Sequence, residues 1–483
     1  MHIEQFFLEG LGHQSYIVTD GQSGFAAVVD PRRDVDIYLQ AAHRFGVRIT
    51  HILETHLHND YVTGSRELAA LTDASIVAST LDPPAYKHKS VREGDNFTVG
   101  QLAFSVLATP GHTPEHVSYA LSEPASTTPG ALFSGGSMLA GNAGRTDLLG
   151  DGMTLTLTRQ QYHSLRRLLD TLPGHVRVYP THGAGSFCAS GGATPTRSTT
   201  IAQERIVSPA VLAKDEADFV RQQIAGYIAY PTYYRYMHDI NKEGPRILGG
   251  IPMPPALSPH TTRDKMSSGT PLVDGRGRDA FAREHIPGSL NVELDNSFAT
   301  YIGWILPFNV PIMILIEDEQ GRREAVVQLI RIGYEQIEGY LDGGMDSWKA
   351  AALPTSEFES IDVEMLHKRW KYHESLTIVD VRRDDEWREG HIPGALHIPL
   401  GTLAEHLDIL PKDQSVATIC RSGYRAEIAA SMVAATGRHT IAVRGGMQDW
   451  LDAGLPSSAD EASNVPAHDH HHHHKDDHTH AHP

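Results

Sequence analysis

The chain has 483 residues, enough for about three domains at the usual domain size. Its 41 Lys and Arg against 59 Asp and Glu give a formal net charge of −18, which argues against nucleic acid or an anionic membrane as partner. Hydrophobic residues make up 40% of the chain, so it can bury cores, and with only Cys188 and Cys420 it has no disulfide framework. The N-terminus lacks a basic region and a small-residue cleavage site, and the apolar run from Tyr301 to Ile316 is broken by Pro307, Asn309 and Pro311. A soluble, cytoplasmic, multidomain protein is expected, and a homo-oligomer is compatible with this.

In the first 248 residues short strands alternate with helices. Ala26–Val29, Ile49–Leu53, Phe104–Leu107 and Val176–Tyr179 have strand length and turn-like borders. Val35, Ile37–Leu39, Ala42 and Phe45 follow a helical spacing, as do Leu157, Leu165, Leu168 and Leu169. Histidines follow three of the strands, in THLHNDY (55–61), TPGHTPEH (109–116) and PTHGAG (180–185). Loops at separate strand ends can aim their imidazoles at one point, which is how metal sites are assembled. Cys188, with no cation beside it in GSFCAS, reads as a structural thiol.

Residues 249–270, rich in Pro, Gly and Ser, read as a linker. Beyond it the sequence repeats. VDGRGRDAFAREHIPGSLNV (273–292) is echoed by VDVRRDDEWREGHIPGALHI (379–398), and LDGGMDSWKAAALP (341–354) by VRGGMQDWLDAGLP (443–456). Two copies of one domain follow, 271–355 and 356–460. The second holds ATICRSGYRAEIAA (417–430), with Cys420 between a short apolar strand and a helix. A helix N-terminus, Arg421 and Arg425 together favour a thiolate nucleophile. In the first copy the matching position is Asp318, a carboxylate that cannot carry sulfur, so this copy is expected to serve packing or positioning. Residues 461–483 form a His-rich tail, expected to be disordered and able to bind metal ions.

The three histidine loops, with GRTDLLG (144–150), resemble the metallo-β-lactamase superfamily and specifically its persulfide dioxygenase branch. The resemblance implies an αββα sandwich and one Fe(II) per chain, with zinc as the alternative, held by two histidines and an aspartate. His56 and His112 match the two histidines. His58, Asp60, Asp147 and His182 match surrounding positions or alternative ligands. Two positions depart from the pattern. Tyr61 stands where hydrolases carry a histidine, and Gly136, in FSGGSM, stands where the metal-binding aspartate belongs. Asp147, Asp60, Glu115 or water would then fill that place. On this alignment Gly136→Asp is expected to rebuild the site and raise iron retention.

The six-residue loop from Cys420 to Arg425, with HIPG upstream and GGMxxW downstream, resembles the rhodanese family. It implies that Cys420 accepts sulfane sulfur as a persulfide. Arg421 and Arg425 would assist the chemistry, and Ser422, Gly423 and Tyr424 would cradle the substrate. Asp380, Arg382 and His391 match positions that support the fold. The expected fold is therefore an αββα sandwich followed by two rhodanese-like α/β domains. The expected function is iron-dependent oxidation of a low-molecular-weight persulfide, such as glutathione persulfide, by O2 to sulfite, coupled to sulfur transfer through Cys420 with sulfite or thiosulfate. Two alternatives are a sulfurtransferase with a non-catalytic metal domain and a zinc-dependent thioester hydrolase.

Overall fold

A computed structural model describes residues 1–124, 126–190 and 196–459. The His-rich tail lies outside the described residues. The chain divides into two compact units, Met1–Ser356 and Glu357–Pro483.

In the first unit, strands His2–Leu8, His13–Asp20, Phe25–Val29, Arg48–Leu53, Ser75–Ser79 and Lys89–Val91 form one sheet in chain order. A second six-stranded sheet runs Thr199–Thr200, Arg177–Pro180, Ala131–Gly135, Val117–Ser122, Leu102–Ala108, Asn96–Val99. Side chains alternate across each strand. Tyr16, Val18, Ala27 and Val29 meet Phe104, Tyr119 and Phe133 of the other sheet in a shared core. Ile17, Ala26 and Val28 point the other way, onto helix Asp36–Phe45 through Tyr38 and Ala41. Leu165, Leu168 and Leu169 of helix Asp151–Thr171 cover the second sheet. This is the αββα sandwich.

Each repeat forms a five-stranded parallel sheet with the same strand order. The first runs Ala256–Leu257, Ile337–Leu341, Ile312–Leu315, Leu272–Asp274, Leu290–Asn291. The second runs Glu359–Ile361, Thr440–Val443, Ser415–Ile419, Leu376–Asp380, Leu396–His397. The segment expected as a linker therefore belongs partly to the first repeat. Ala256–Leu257 pairs with Ile337–Leu341, and helix Pro259–Ser267 starts at Ser258, whose hydroxyl accepts from Thr261 N. The proline that suggested a break occupies the first helical position, where no N–H is needed. Among the described residues no helix is long and apolar enough to cross a membrane.

The first repeat shares its unit with the sandwich and is tied to it by buried charges. Arg331, at the end of helix Glu319–Arg331, makes two 2.7 Å bonds to the Asp34 carboxylate, and both residues are buried. Its carbonyl accepts from Val62 N at 2.7 Å, at the end of the first histidine loop. Arg33 reaches Glu335 alongside.

Candidate functional site

The sandwich gathers its histidines at strand ends. His56 follows Arg48–Leu53, His112 follows Leu102–Ala108, and His182 follows Arg177–Pro180. Asp30, just past Phe25–Val29, ties two of these loops together. Its carboxylate accepts from Thr55 N and Thr55 Oγ1, both at 2.8 Å, and from the Thr181 hydroxyl. Its left-handed backbone, φ 49°, is one that aspartate tolerates. Asn241 locks the first loop, donating at 2.8 Å to the carbonyls of His58 and Tyr61.

The hydrogen bonds set the imidazole tautomers. The Thr55 hydroxyl gives its single proton to Asp30, so at 2.8 Å from His56 Nδ1 it accepts. His112 Nδ1 donates to the Arg145 carbonyl at 2.6 Å. His182 Nδ1 stands 3.1 Å from the Asp60 carboxylate. His56 and His112 therefore turn a bare Nε2 inward, the Asp60 charge favours the same tautomer in His182, and these three residues bring their ligand atoms within 4.8 Å of one another. His112 Nε2 is buried and has no hydrogen-bond partner. Burial, with neighbouring histidines, holds His56 well below the usual imidazole range and His112 at about 3. Neutral imidazoles with converging lone pairs and an orphaned buried nitrogen are a donor set that suits a divalent ion.

The other expected residues have different surroundings. His58 faces Glu54 at 3.0 Å and Asp30 at 3.4 Å. Burial works against its charge, but these carboxylates outweigh it and raise His58 to about 10, which favours the charged ring. Asp60 lies behind His182. Burial raises its pKa, but His182 and His58 overcome this and hold it below the usual carboxylate range. Asp147 is not an alternative ligand, because Arg145 binds both its oxygens at 2.7 Å. Glu115 accepts from Leu57 N and the Thr113 hydroxyl, and its ligand atom groups with Asp82 and His238 instead.

Gly136 does not leave the room expected of it. A Cβ there would lie 2.2 Å from His112 Cδ2 and 2.7 Å from its Nε2, so the His112 ring fills the space an aspartate would need. The Gly136 N–H donates to His116 Nε2 at 3.0 Å, and Thr109 Oγ1 lies 2.8 Å from His116 Nδ1. His116 thus orients the glycine turn. Sequence reasoning passed over His116 and Asp30. The former sits inside the TPGHTPEH motif, whereas Asp30 carries no signal beyond a polar residue at a strand end.

In the second unit Cys420 is buried directly after strand Ser415–Ile419, and its Sγ accepts from Gly423 N at 3.2 Å. Gly423, φ 91°, starts helix Tyr424–Ala434. The loop is clamped from behind by Met447 N on the Cys420 carbonyl and Gln448 N on that of Arg421. Gly446 makes this possible, since a Cβ there would come 2.3 Å from Cys420 O. Ser422 is exposed and Tyr424 half-buried at the loop's outer side, and Arg421 is exposed. Both terminal nitrogens of Arg425 bind Glu386 at 2.7 Å. Asp380 and Arg382 are paired, and His391 stacks on Trp387 at 3.5 Å, as fold-supporting residues.

Residues 8–182 match the family described as the metallo-beta-lactamase superfamily, and 258–351 and 363–453 each match the rhodanese-like domain. Human persulfide dioxygenase ETHE1 is 30% identical over 214 residues, covering 43% of this chain and 74% of that protein. A hydroxyacylglutathione hydrolase from Brucella anthropi is 30% identical over 241 residues, covering 50% and 86%. The solved metallo-beta-lactamase from Staphylococcus aureus subsp. aureus COL superposes with a TM-score of 0.63 at 30% identity, covering 70% of this chain and 98% of that one. The chain thus belongs to the metallo-beta-lactamase superfamily, with persulfide dioxygenase ETHE1 among its homologues, and carries two rhodanese-like domains in tandem.

Proposed function

We propose that this protein oxidises a low-molecular-weight persulfide with O2 at a single Fe(II) in the first domain and moves sulfane sulfur through Cys420. The carrying observation is the joining, on one chain, of an inward-facing imidazole cluster with a cysteine loop of rhodanese type. Oxidation balances as RSSH + O2 + H2O giving RSH and sulfurous acid, which ionises to sulfite. Bound iron would supply O2 activation. His56 and His112 would hold it, their outer nitrogens fixed by Thr55 and Arg145, while buried Tyr61 and Leu57 help to keep bulk water from the loop.

At the second centre the Cys420 sulfur would attack the outer sulfur of thiosulfate. The S–S bond breaks, its electron pair leaves on sulfite, and Cys420 keeps a persulfide. The Gly423 N–H would face that anion. Tethering the two centres raises the effective concentration of one site's product at the other.

Hydroxyacylglutathione hydrolases among the homologues keep the zinc-dependent hydrolase as the competing reading. Two-metal hydrolysis needs a second ligand set; His58, Asp60 and His182 do bring ligand atoms within 4.8 Å of one another, but Tyr61 replaces a histidine and His58 also faces Asp30 and Glu54. Metal analysis joined to thioester assays separates the two. One iron without thioester cleavage supports oxidation. Two zincs with cleavage would replace it, and a metal-free protein that transfers sulfur would leave Cys420 as the sole active centre.

A further inference from the structure

Resting on that reading of the first domain, we propose that its ion is held by three imidazoles, those of His56, His112 and His182, with no carboxylate in direct contact. The missing anionic ligand would be supplied by the substrate, a persulfide anion.

The ring orientations carry the assignment. A threonine hydroxyl and a backbone carbonyl take up Nδ1 of His56 and His112 and leave their Nε2 atoms as lone pairs, and the Asp60 carboxylate 3.1 Å from His182 Nδ1 favours the same tautomer there. Nε2 of His56 and Nε2 of His182 stand 3.4 Å apart. Two lone pairs at that separation repel unless a proton or a cation lies between them. Among the described residues no carboxylate oxygen joins the three ligand atoms within that 4.8 Å limit. Asp60 stands behind His182, Asp147 is paired with Arg145, and Glu115 faces Leu57 and Thr113. The position that could deliver a carboxylate from the strand end is Gly136, and the His112 ring occupies the volume its side chain would need.

Charge follows from this donor set. Three neutral imidazoles leave a divalent ion with its full charge, whereas two imidazoles and a carboxylate leave one unit. A site of this kind favours an anion such as RSS⁻ over a neutral thioester, because the incoming ligand brings the compensating charge. Asp60 then orients His182 from outside, as carboxylates behind metal-bound imidazoles do.

The test uses the full-length chain with each of the nine histidines from His468 to His482 replaced by serine, so that the tail does not bind the probe. The protein is loaded with Cu(II), and pulsed EPR counts the bound imidazoles. Three are expected, falling to two in His182→Gln. Iron retained against a competing chelator should fall at least about tenfold in His182→Gln, and by a smaller factor in Asp60→Asn. Two imidazoles in the otherwise unaltered site, or unchanged iron retention in a folded His182→Gln protein, would overturn the assignment. If His182→Gln does not fold, the imidazole count on the parent chain decides. O2 uptake with persulfide is recorded separately on the parent. Uptake with only two imidazoles refutes the ligand set alone, and three imidazoles without uptake refute the oxidase reading alone.

Discussion

The two rhodanese-like repeats have the same strand order, and each buries a tryptophan, Trp348 or Trp450, whose indole donates to a proline carbonyl six residues on. Each also pairs an aspartate with an arginine two residues later, Asp274 with Arg276 and Asp380 with Arg382. They part at one loop. In the second repeat Gly423 N points at the Cys420 sulfur at 3.2 Å, while in the first the equivalent Gly321 N is taken by the Asp318 carboxylate at 2.7 Å. A helix N-terminus offers N–H groups to any acceptor. A thiol there leaves an atom able to bond further, and a carboxylate satisfies the helix as an N-cap. The first repeat has kept the scaffold and lost the nucleophile. Its helix now reaches the sandwich, where Arg331 holds Asp34 and supports the first histidine loop.

The comparison breaks most sharply at the sulfur. Cys420→Ser should lower thiosulfate:cyanide transfer by on the order of a thousandfold or more, with unfolding unchanged, because the attacking atom is gone. Transfer within a few-fold of the parent would remove the rhodanese assignment. In that background Asp318→Cys should restore no transfer, since Glu319 and Gln320 stand where Arg421 and Ser422 do. Recovery of robust activity would mean that loop shape alone suffices.

The structural role of the first repeat is read by Arg331→Met. Removing Arg331 takes two hydrogen bonds from the buried Asp34 carboxylate and leaves it Arg32 at 3.0 Å, at a cost of about 1.5–3 kcal/mol. Chemical denaturation should show that loss in the first unit while transfer through Cys420 persists. A smaller effect belongs to the second repeat, where Arg425 holds the Glu386 carboxyl below its usual range despite partial burial. A depressed carboxyl stabilises the fold above its unfolded pKa, and that contribution fades as pH falls through the folded value. Glu386→Gln should therefore flatten the acid limb of the second unit's stability profile, by about a kcal/mol or less once solvent screening is allowed for. An unchanged acid limb would place the loop's support elsewhere.

Strand alternation, the repeat and the cysteine loop were legible in the sequence because each is local or periodic. Ala26–Val29 and Ile49–Leu53 lie within observed strands, and Cys420 stands between strand and helix as expected. Contacts across the fold were not legible. The pairing of Arg425 with Glu386, 39 residues earlier, is one of them. Gly136 looked like a vacancy for a carboxylate, whereas the volume belongs to the His112 ring. Gly136→Asp should accordingly lower iron retention, and a folded variant that holds iron more tightly would restore the aspartate site that the alignment suggested.

The division of labour between the two centres is tested most directly by O2 consumption in the full-length Cys420→Ser protein, loaded with Fe(II) and given glutathione persulfide. The expected result is persulfide-dependent O2 uptake with one sulfite formed per O2, although sulfur transfer is abolished. No O2 uptake by the iron-loaded protein, with thioester cleavage or with no turnover at all, would contradict it.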